Sequence, residues 1–422
     1  MYKSHPAVNT IQVREGAAMN HKKMYQGRAL RTAGMAVCYL LVLLAVLIGW
    51  VYSQLPDVIF LEQGQTLSFV QMPYIKVQKN TGTQEVSRGA PTHSSNTQLS
   101  LGGILPLKTV RTVVTDRPVL RVCGTPFGIK MFSEGALVVA FSDIPTESGR
   151  ANPAKEAGLK LGDWIIQIGQ EPIRSNRDLS AALQKVGGLA VTVTYRREGV
   201  TGTTQLIPAQ GEDGRWKAGM WVRDSSAGVG TMTFVDENQG VFGGLGHPIS
   251  DSDTGENIAL RSGEIVPCTI IGYTKGRVGD PGELKGQFSN GLSIGTIQKN
   301  SASGVFGTVR RGFDGEYMPI AFAQEVKVGP AEILTTLDGD KPARYQVEIE
   351  RIQYNTDGDK HNLLVRVTDP TLLEETGGIV QGMSGSPIIQ DGKLVGAVTH
   401  VLVNDPTRGY GIFIENMLNA AA

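Results

Sequence analysis

One serine in a glycine-rich turn is the strongest candidate for chemistry in this sequence. It is Ser384, within the run Gly382-Met383-Ser384-Gly385-Ser386-Pro387. Glycines beside a serine let the backbone bend sharply and come close to a substrate carbonyl. The backbone N–H groups of Gly382 and Ser384 could then stabilise the negative charge that develops on that carbonyl oxygen. We therefore predict that Ser384 is a nucleophile and that Gly382 and Ser384 form an oxyanion hole.

A serine hydroxyl needs a base, and six histidines are available. His247 is favoured because its small neighbours would expose the imidazole at a turn. His400, after the nucleophile turn, and His361, at a predicted hairpin tip, remain alternatives. The remaining three histidines are not candidates for the base. His5 and His21 lie on the predicted cytoplasmic side, and His93 lies in a predicted tether.

A third residue should orient the imidazole and stabilise its protonated form. Asp369 precedes Ser384 at the end of a predicted strand, and the order His247, Asp369, Ser384 matches that of chymotrypsin. The spacing from Asp369 to Ser384 is much shorter than in chymotrypsin. Asp251 and Asp253 remain alternatives, although both lie close to His247 and could instead bind backbone N–H groups in a turn.

The first structural element that the sequence predicts is an uncharged apolar run at residues 33–52. Its length of about 20 residues is that of a membrane-spanning helix. Basic residues predominate before it, which predicts a cytoplasmic N-terminus and an exported remainder. We predict an uncleaved signal-anchor, with a cleavable signal peptide as the alternative.

Composition limits the classes of function. The formal net charge is +0, which argues against a general nucleic-acid binder. The 53 glycines and 20 prolines predict many turns and short strands. The cysteines, Cys38, Cys123 and Cys268, form no metal-binding pattern, so we expect no metal or other cofactor. A disulfide between Cys123 and Cys268 remains an alternative.

After the anchor, the sequence divides into three parts. Residues 53–118 are predicted to form a tether that is flexible in its polar stretch, where proteolysis would concentrate. Residues 119–210 alternate strands and helices, with Asn176 as a predicted helix cap. Residues 211–422 are strand-rich, which predicts an all-β barrel or sandwich. The predicted fold class is thus mainly β, with a transmembrane helix and an α/β domain.

Two stretches carry resemblances. The run from Pro153 to Ile168, with the helix that follows, resembles a bacterial peptidase-type PDZ domain, which binds a peptide end as an added strand. Phe127, Gly128 and Ile129 are the predicted peptide-binding loop, although they differ from the usual Gly-Leu-Gly-Phe. The turn around Ser384 resembles the nucleophile loop of chymotrypsin-like peptidases.

Three longer runs, at residues 221–233, 244–251 and 378–387, are similar to the stage IV sporulation protein B (SpoIVB) serine peptidase family of endospore-forming bacteria. The resemblance implies a PDZ domain joined to a chymotrypsin-like peptidase domain with catalytic Ser384, His247 and Asp369. It also implies a forespore membrane protein facing the intermembrane space. Such a protein cleaves itself and then a membrane-bound regulator, which leads to activation of the mother-cell sigma factor sigma-K.

Two other functions were weighed. The chain could be a non-catalytic, membrane-held peptide-binding scaffold in which the β domain has no enzymatic role. An esterase is disfavoured because the serine lacks the G-x-S-x-G turn of an α/β-hydrolase and the surrounding chain does not alternate β and α.

Overall fold

The computed structural model of this chain describes residues 34–69, 72–78, 93–251, 254–255, 260–289, 293–310, 313–354 and 361–422. The described residues are mainly strands, and one apolar helix lies at their start. The mainly β fold class is thereby confirmed. The N-terminal segment 1–32, predicted to be cytoplasmic, lies outside the described residues.

The apolar run forms helix α1, Gly34–Gln54, with a mean hydropathy of 2.5 over its most apolar window. Only 6% of that window is buried against the protein. By length and composition the helix can cross a bilayer, which is compatible with a single-pass anchor.

Part of the predicted tether is ordered as a small four-stranded sheet. Its order is β1-β4-β3-β2, and the strands are β1 (Val58–Leu61), β2 (Ile75–Gln78), β3 (His93–Leu101) and β4 (Leu105–Val114). The polar strand β3 is antiparallel to β4, and Thr112 donates a hydrogen bond to Thr97 across the pair at 2.8 Å. Cross-strand pairing therefore orders a segment whose own composition predicts flexibility. Residues 79–92, the centre of the predicted tether, lie outside the described residues.

Two closed rings of six strands follow. The first contains β6, β17, β19, β20, β16 and β15, and it closes because β15 pairs with β6. The strands of this ring and the three that extend its sheet (β5, β18 and β21) are β5 (Val119–Val122), β6 (Pro126–Phe141), β15 (Met220–Asp236), β16 (Val241–Gly244), β17 (Leu260–Thr274), β18 (Glu283–Phe288), β19 (Gly295–Ser301), β20 (Gly304–Val309) and β21 (Glu316–Pro319).

The second ring is a closed barrel of order β22-β23-β24-β27-β26-β25. It follows a short 3-10 helix, Ala323–Glu325, and comprises β22 (Gly329–Thr335), β23 (Ala343–Ile352), β24 (Leu363–Val367), α4 (Pro370–Thr376), β25 (Pro387–Gln390), β26 (Lys393–Leu402), β27 (Asp405–Phe413) and α5 (Ile414–Ala421). The hairpin between β25 and β26 turns at Asp391 and Gly392, both with positive φ, which is typical of an Asp-Gly pair in a two-residue hairpin. Two barrels side by side fit a chymotrypsin-like domain.

An α/β unit is inserted between β6 and β15 of the first barrel. This inserted unit, residues 142–219, contains β7 (Ile144–Thr146), β8 (Gly149–Ala151), α2 (Pro153–Glu156), β9 (Trp164–Ile168), β10 (Glu171–Pro172), α3 (Asn176–Val186), β11 (Val191–Arg197), β12 (Val200–Leu206), β13 (Ala209–Gln210) and β14 (Trp216–Lys217). Its sheet includes the C-terminal part of β6, where Ala136 pairs with Ile165 of β9. The cap of α3 is Ser175, one residue before the predicted Asn176, since Ser175 accepts a hydrogen bond from the Asp178 N–H.

The two buried cysteines belong to separate cores, Cys123 to that of the first barrel and Cys268 to that of the second. All three cysteines are free thiols, so the structure has no Cys123–Cys268 bridge. Burial raises the pKa of Cys123 to about 12 and that of Cys268 to about 11, which keeps both thiols protonated at neutral pH.

Candidate active site

The turn that carries Ser384 lies between α4 and β25 and depends on two glycines in left-handed conformations. Gly382 and Gly385 both have a φ of 95°. A Cβ atom on Gly385 would lie 2.0 Å from the carbonyl oxygen of Thr231 and 2.5 Å from the backbone nitrogen of Leu245. Only glycine therefore fits this position, because both neighbouring atoms belong to the backbone.

Strand β15 of the first barrel holds this turn through three hydrogen bonds. The backbone N–H of Thr231 donates to the carbonyl oxygen of Ser384 at 2.9 Å. The hydroxyl of Thr231 donates to Gly382 O at 2.9 Å, and that of Thr233 to Gly385 O at 2.7 Å. The serine turn of one barrel is thus fixed against a strand of the other.

His247 enters the same region from the turn after β16. The chain reverses at Leu245 and Gly246, whose φ values are 66° and 71°. The imidazole Nδ1 lies 2.7 Å from the carbonyl oxygen of Pro248. A carbonyl can only accept, so Nδ1 carries the proton and Nε2 keeps its lone pair when the ring is neutral. Burial lowers the pKa of His247, and the Pro248 contact opposes this only in part.

Ser384 and His247 line one cleft between the barrels, with a volume of about 520 Å³. In this structure the Ser384 hydroxyl donates to the carbonyl oxygen of Thr399 at 2.6 Å. The hydroxyl must release this hydrogen bond before its proton can pass to another acceptor. The cleft is otherwise lined mainly by small and apolar residues, among them Ala227, Val229, Ile379, Val380 and Val401.

The backbone N–H groups of the Ser384 turn differ in whether they are hydrogen-bonded within the protein. In the same turn, the N–H of Met383 donates to Val380 O at 3.1 Å and that of Gly385 to Val398 O at 2.8 Å. Within the described part of the chain, the N–H groups of Gly382 and Ser384 donate to no protein acceptor. Both remain able to bind a substrate oxygen.

The two alternative histidines lie beside the cleft. The ring centroid of His400 is 4.6 Å from that of His247 and 5.2 Å from that of His361. His361 in turn stacks on Tyr410 at 4.2 Å. His400 lines the cleft, whereas His361 lies behind it. His5 and His21 lie outside the described residues.

The structure does not bring Asp369 into the cleft. It is the N-cap of α4, where its carboxylate accepts hydrogen bonds from the N–H groups of Leu372 at 3.1 Å and Gln346 at 3.2 Å. Helix N-caps favour aspartate for this reason. Asp251 is buried, pairs with Arg223 and accepts from the Thr254 N–H, and Asp253 lies outside the described residues.

The predicted peptide-binding loop is a central strand. Phe127, Gly128 and Ile129 lie in β6 and pair with residues of β15 on one edge and of β17 on the other. Phe127 is fully buried and packs edge-on against Phe242. Because both edges are bonded, no peptide strand can add at these residues in this structure.

Sequence reasoning missed the groups that hold the site together. Thr231 and Thr233 act through hydrogen bonds between the barrels, whereas Thr399 and Pro248 act through their carbonyl oxygens. No local pattern distinguishes such residues, because their partners lie far away in sequence. Within the described ranges, no cluster of three or more His, Cys, Asp or Glu side chains could hold a metal ion.

The double barrel, with a serine and a histidine in the cleft between its halves, defines a peptidase of chymotrypsin-like architecture. The model of the SpoIVB peptidase S55 family matches residues 214–418, and through this region the chain belongs to that family.

Other comparisons are limited in extent. Two Staphylococcus aureus proteins described as "Putative zinc metalloprotease", from strains N315 and COL, are 42% identical over 60 residues. The match spans 14% of this chain and 14% of those relatives. The active form of the Rv3671c protease from M. tuberculosis aligns with a TM-score of 0.29 at 14% identity, covering 47% of this chain and 73% of that one. Its inactive form aligns with a TM-score of 0.26 at 15% identity, covering 46% and 82%.

Proposed function

We propose that this protein is a serine endopeptidase in which Ser384 is the nucleophile and His247 the general base. The observation that carries the proposal is the shared cleft, where Ser384, His247 and the free N–H groups of Gly382 and Ser384 meet. Rotation of Ser384 toward His247 would let Nε2 take the hydroxyl proton during attack on a peptide carbonyl. The two N–H groups would bind the resulting oxyanion.

The test compares Ser384→Ala with Ser386→Ala in the purified extracytoplasmic part. Ser386 is a matched control because its hydroxyl is buried without a hydrogen-bond partner in the structure. We expect wild type and Ser386→Ala to cleave peptides and to react with a fluorophosphonate at Ser384. Ser384→Ala should do neither while keeping its thermal stability. Undiminished cleavage by Ser384→Ala would exclude the proposal.

The biological role follows from family membership and stays a proposal. The enzyme would sit in the forespore membrane with its catalytic part in the intermembrane space, cleave itself, and then cut the extracytoplasmic part of a membrane-bound regulator, leading to sigma-K activation. A direct test incubates the regulator's extracytoplasmic part with wild type and Ser384→Ala and sequences the new N-termini. No new N-terminus in either sample would exclude that substrate.

The alternative of a non-catalytic scaffold is supported by a groove on the inserted unit. This groove, about 730 Å³ in volume, lies between α3 and the chain from β14 to the start of β15. We propose that the unit is PDZ-like and that an extended peptide binds here rather than at Phe127–Ile129.

The peptide-binding proposal can be tested separately from catalysis. Ser180 is exposed on the groove wall, so Ser180→Arg would fill the groove without disturbing the core. Thr201→Arg, on the exposed strand β12 outside the groove, is the control. We expect weaker binding of the substrate segment only for Ser180→Arg. Equal binding by both variants would argue against the groove.

A further inference from the structure

A side chain in the first barrel clamps the backbone next to His247. Asn300, in β19, accepts a hydrogen bond from the Ile249 N–H at 2.8 Å through Oδ1. Its Nδ2 donates to the carbonyl oxygen of the same residue at 2.9 Å. The amide of Asn300 thereby binds both polar groups of one residue, as a neighbouring strand would.

This clamp acts on the peptide unit that contacts the imidazole. The N–H of Ile249 and the C=O of Pro248 belong to one planar peptide bond, which is trans. In a trans peptide these two groups point in opposite directions. When Asn300 holds the N–H on one side, the carbonyl is directed to the other, where it lies 2.7 Å from His247 Nδ1.

We propose that Asn300 is a positioning residue for His247, acting through the Pro248–Ile249 peptide. The inference rests on the proposed serine peptidase function. The held carbonyl fixes the neutral tautomer with the proton on Nδ1 and directs the Nε2 lone pair away from it. This orienting contact does not involve Asp369, whose carboxylate caps α4 in the structure.

The hydrogen bond from Ile249 to Asn300 also strengthens the carbonyl as an acceptor, because successive hydrogen bonds polarise one another. The chain of contacts therefore runs from Asn300 through one peptide unit to His247. Loss of the clamp frees that peptide to rotate, and the imidazole then loses its fixed orientation toward Ser384.

The experiment measures kcat and KM separately for three variants. Asn300→Ala removes both hydrogen bonds, whereas Asn300→Asp keeps the acceptor for the Ile249 N–H. Asn152→Ala is the control, since Asn152 also makes two side-chain hydrogen bonds but lies in the inserted unit. We expect Asn300→Ala to lower kcat by about 10–10²-fold at nearly constant KM, the effect typical of a misplaced catalytic group.

Two readouts separate positioning from a general loss of stability. The added negative charge in Asn300→Asp should recover much of the rate and move the acid limb of the pH–rate profile upward. The downfield proton signal of His247 Nδ1–H in the NMR spectrum should be present in wild type and Asn152→Ala and absent in Asn300→Ala. Asn300→Asp keeps the test valid even where Asn300→Ala does not fold.

The possible outcomes are distinct. A wild-type kcat and an unchanged Nδ1–H signal in Asn300→Ala would overturn the positioning role while Ser384→Ala remains inactive. A Ser384→Ala enzyme that still cleaves peptides would instead overturn the proposed function itself.

Discussion

The hydroxyl of Ser384 donates its hydrogen bond to the carbonyl oxygen of Thr399, over 2.6 Å, rather than to His247. Ser384 and His247, the proposed nucleophile and base, line one cleft, and no hydrogen bond joins their side chains in this structure. Side chains occupy discrete staggered rotamers, and a change of the Ser384 rotamer would release the hydrogen bond to Thr399. A substrate that competes for the Thr399 carbonyl would favour that change.

The first prediction concerns pH. Burial lowers the pKa of His247, and only the neutral ring can accept the serine proton. We expect kcat/KM to rise with pH with a midpoint below the ordinary histidine value of about 6.5. The check is to measure kcat/KM on a peptide substrate between about pH 4.5 and 8, the range in which histidines titrate. A midpoint above that ordinary value would mean that the imidazole is not desolvated as the structure has it.

The second prediction separates two roles for Asp369. Asparagine caps helices about as well as aspartate but lacks its charge. If the cap is the main role, Asp369→Asn should keep activity and the hydrogen bond from Leu372, and lose only the one that Gln346 donates to the second carboxylate oxygen. Asp369→Ala should lose roughly 1 kcal/mol of the free energy of unfolding. The measurements are thermal denaturation and peptide cleavage. A stable but inactive Asp369→Asn enzyme would restore Asp369 as the third catalytic residue.

The third prediction concerns the inserted unit. Phe141 pairs with Met220, and the Ser142 N–H donates to Gly219 O at 3.0 Å, so both ends of the unit lie side by side. Replacing residues 142–219 with Asn-Gly should close β6 and β15 into a hairpin and leave a folded, active double barrel.

Deletion of residues 119–208 is the comparison, because it also removes β5 and β6. We expect that variant to be insoluble or unfolded by circular dichroism. If the two deletions were equally well folded, β6 would not be an essential strand of the first barrel.

The fourth prediction concerns thiol chemistry. Burial raises the pKa of Cys123 to about 12 and of Cys268 to about 11, and thiolates are the reactive form. The folded part that follows α1 should therefore resist alkylation by iodoacetamide near neutral pH, and both cysteines should react in denaturant. Mass spectrometry of the alkylated peptides gives the result. Rapid labelling of the native protein would show that these cores open readily.

The sequence was informative where the signal is local. The glycines around Ser384, the Asp391-Gly392 turn and the apolar strands of the second barrel all follow from short patterns. His247 could be proposed as the base only by setting aside the other histidines and by the resemblance to the SpoIVB family. Predictions failed where distant strands decide the outcome: the composition of β3 conceals its pairing with β4, and Phe127–Ile129 became a central strand because β15 and β17 flank it. The Asn300 clamp depends on a loop that only the fold brings near.

The long strand β15 begins in the inserted unit's groove, with Met220, Trp221 and Val222, and continues past the cleft to Thr231, which holds the serine turn. A peptide bound in that groove would contact the same continuous strand that holds the Ser384 turn. Peptide binding in the groove could therefore affect the Ser384 turn without a hinge or a moving domain. A small change in the twist of β15 would be enough.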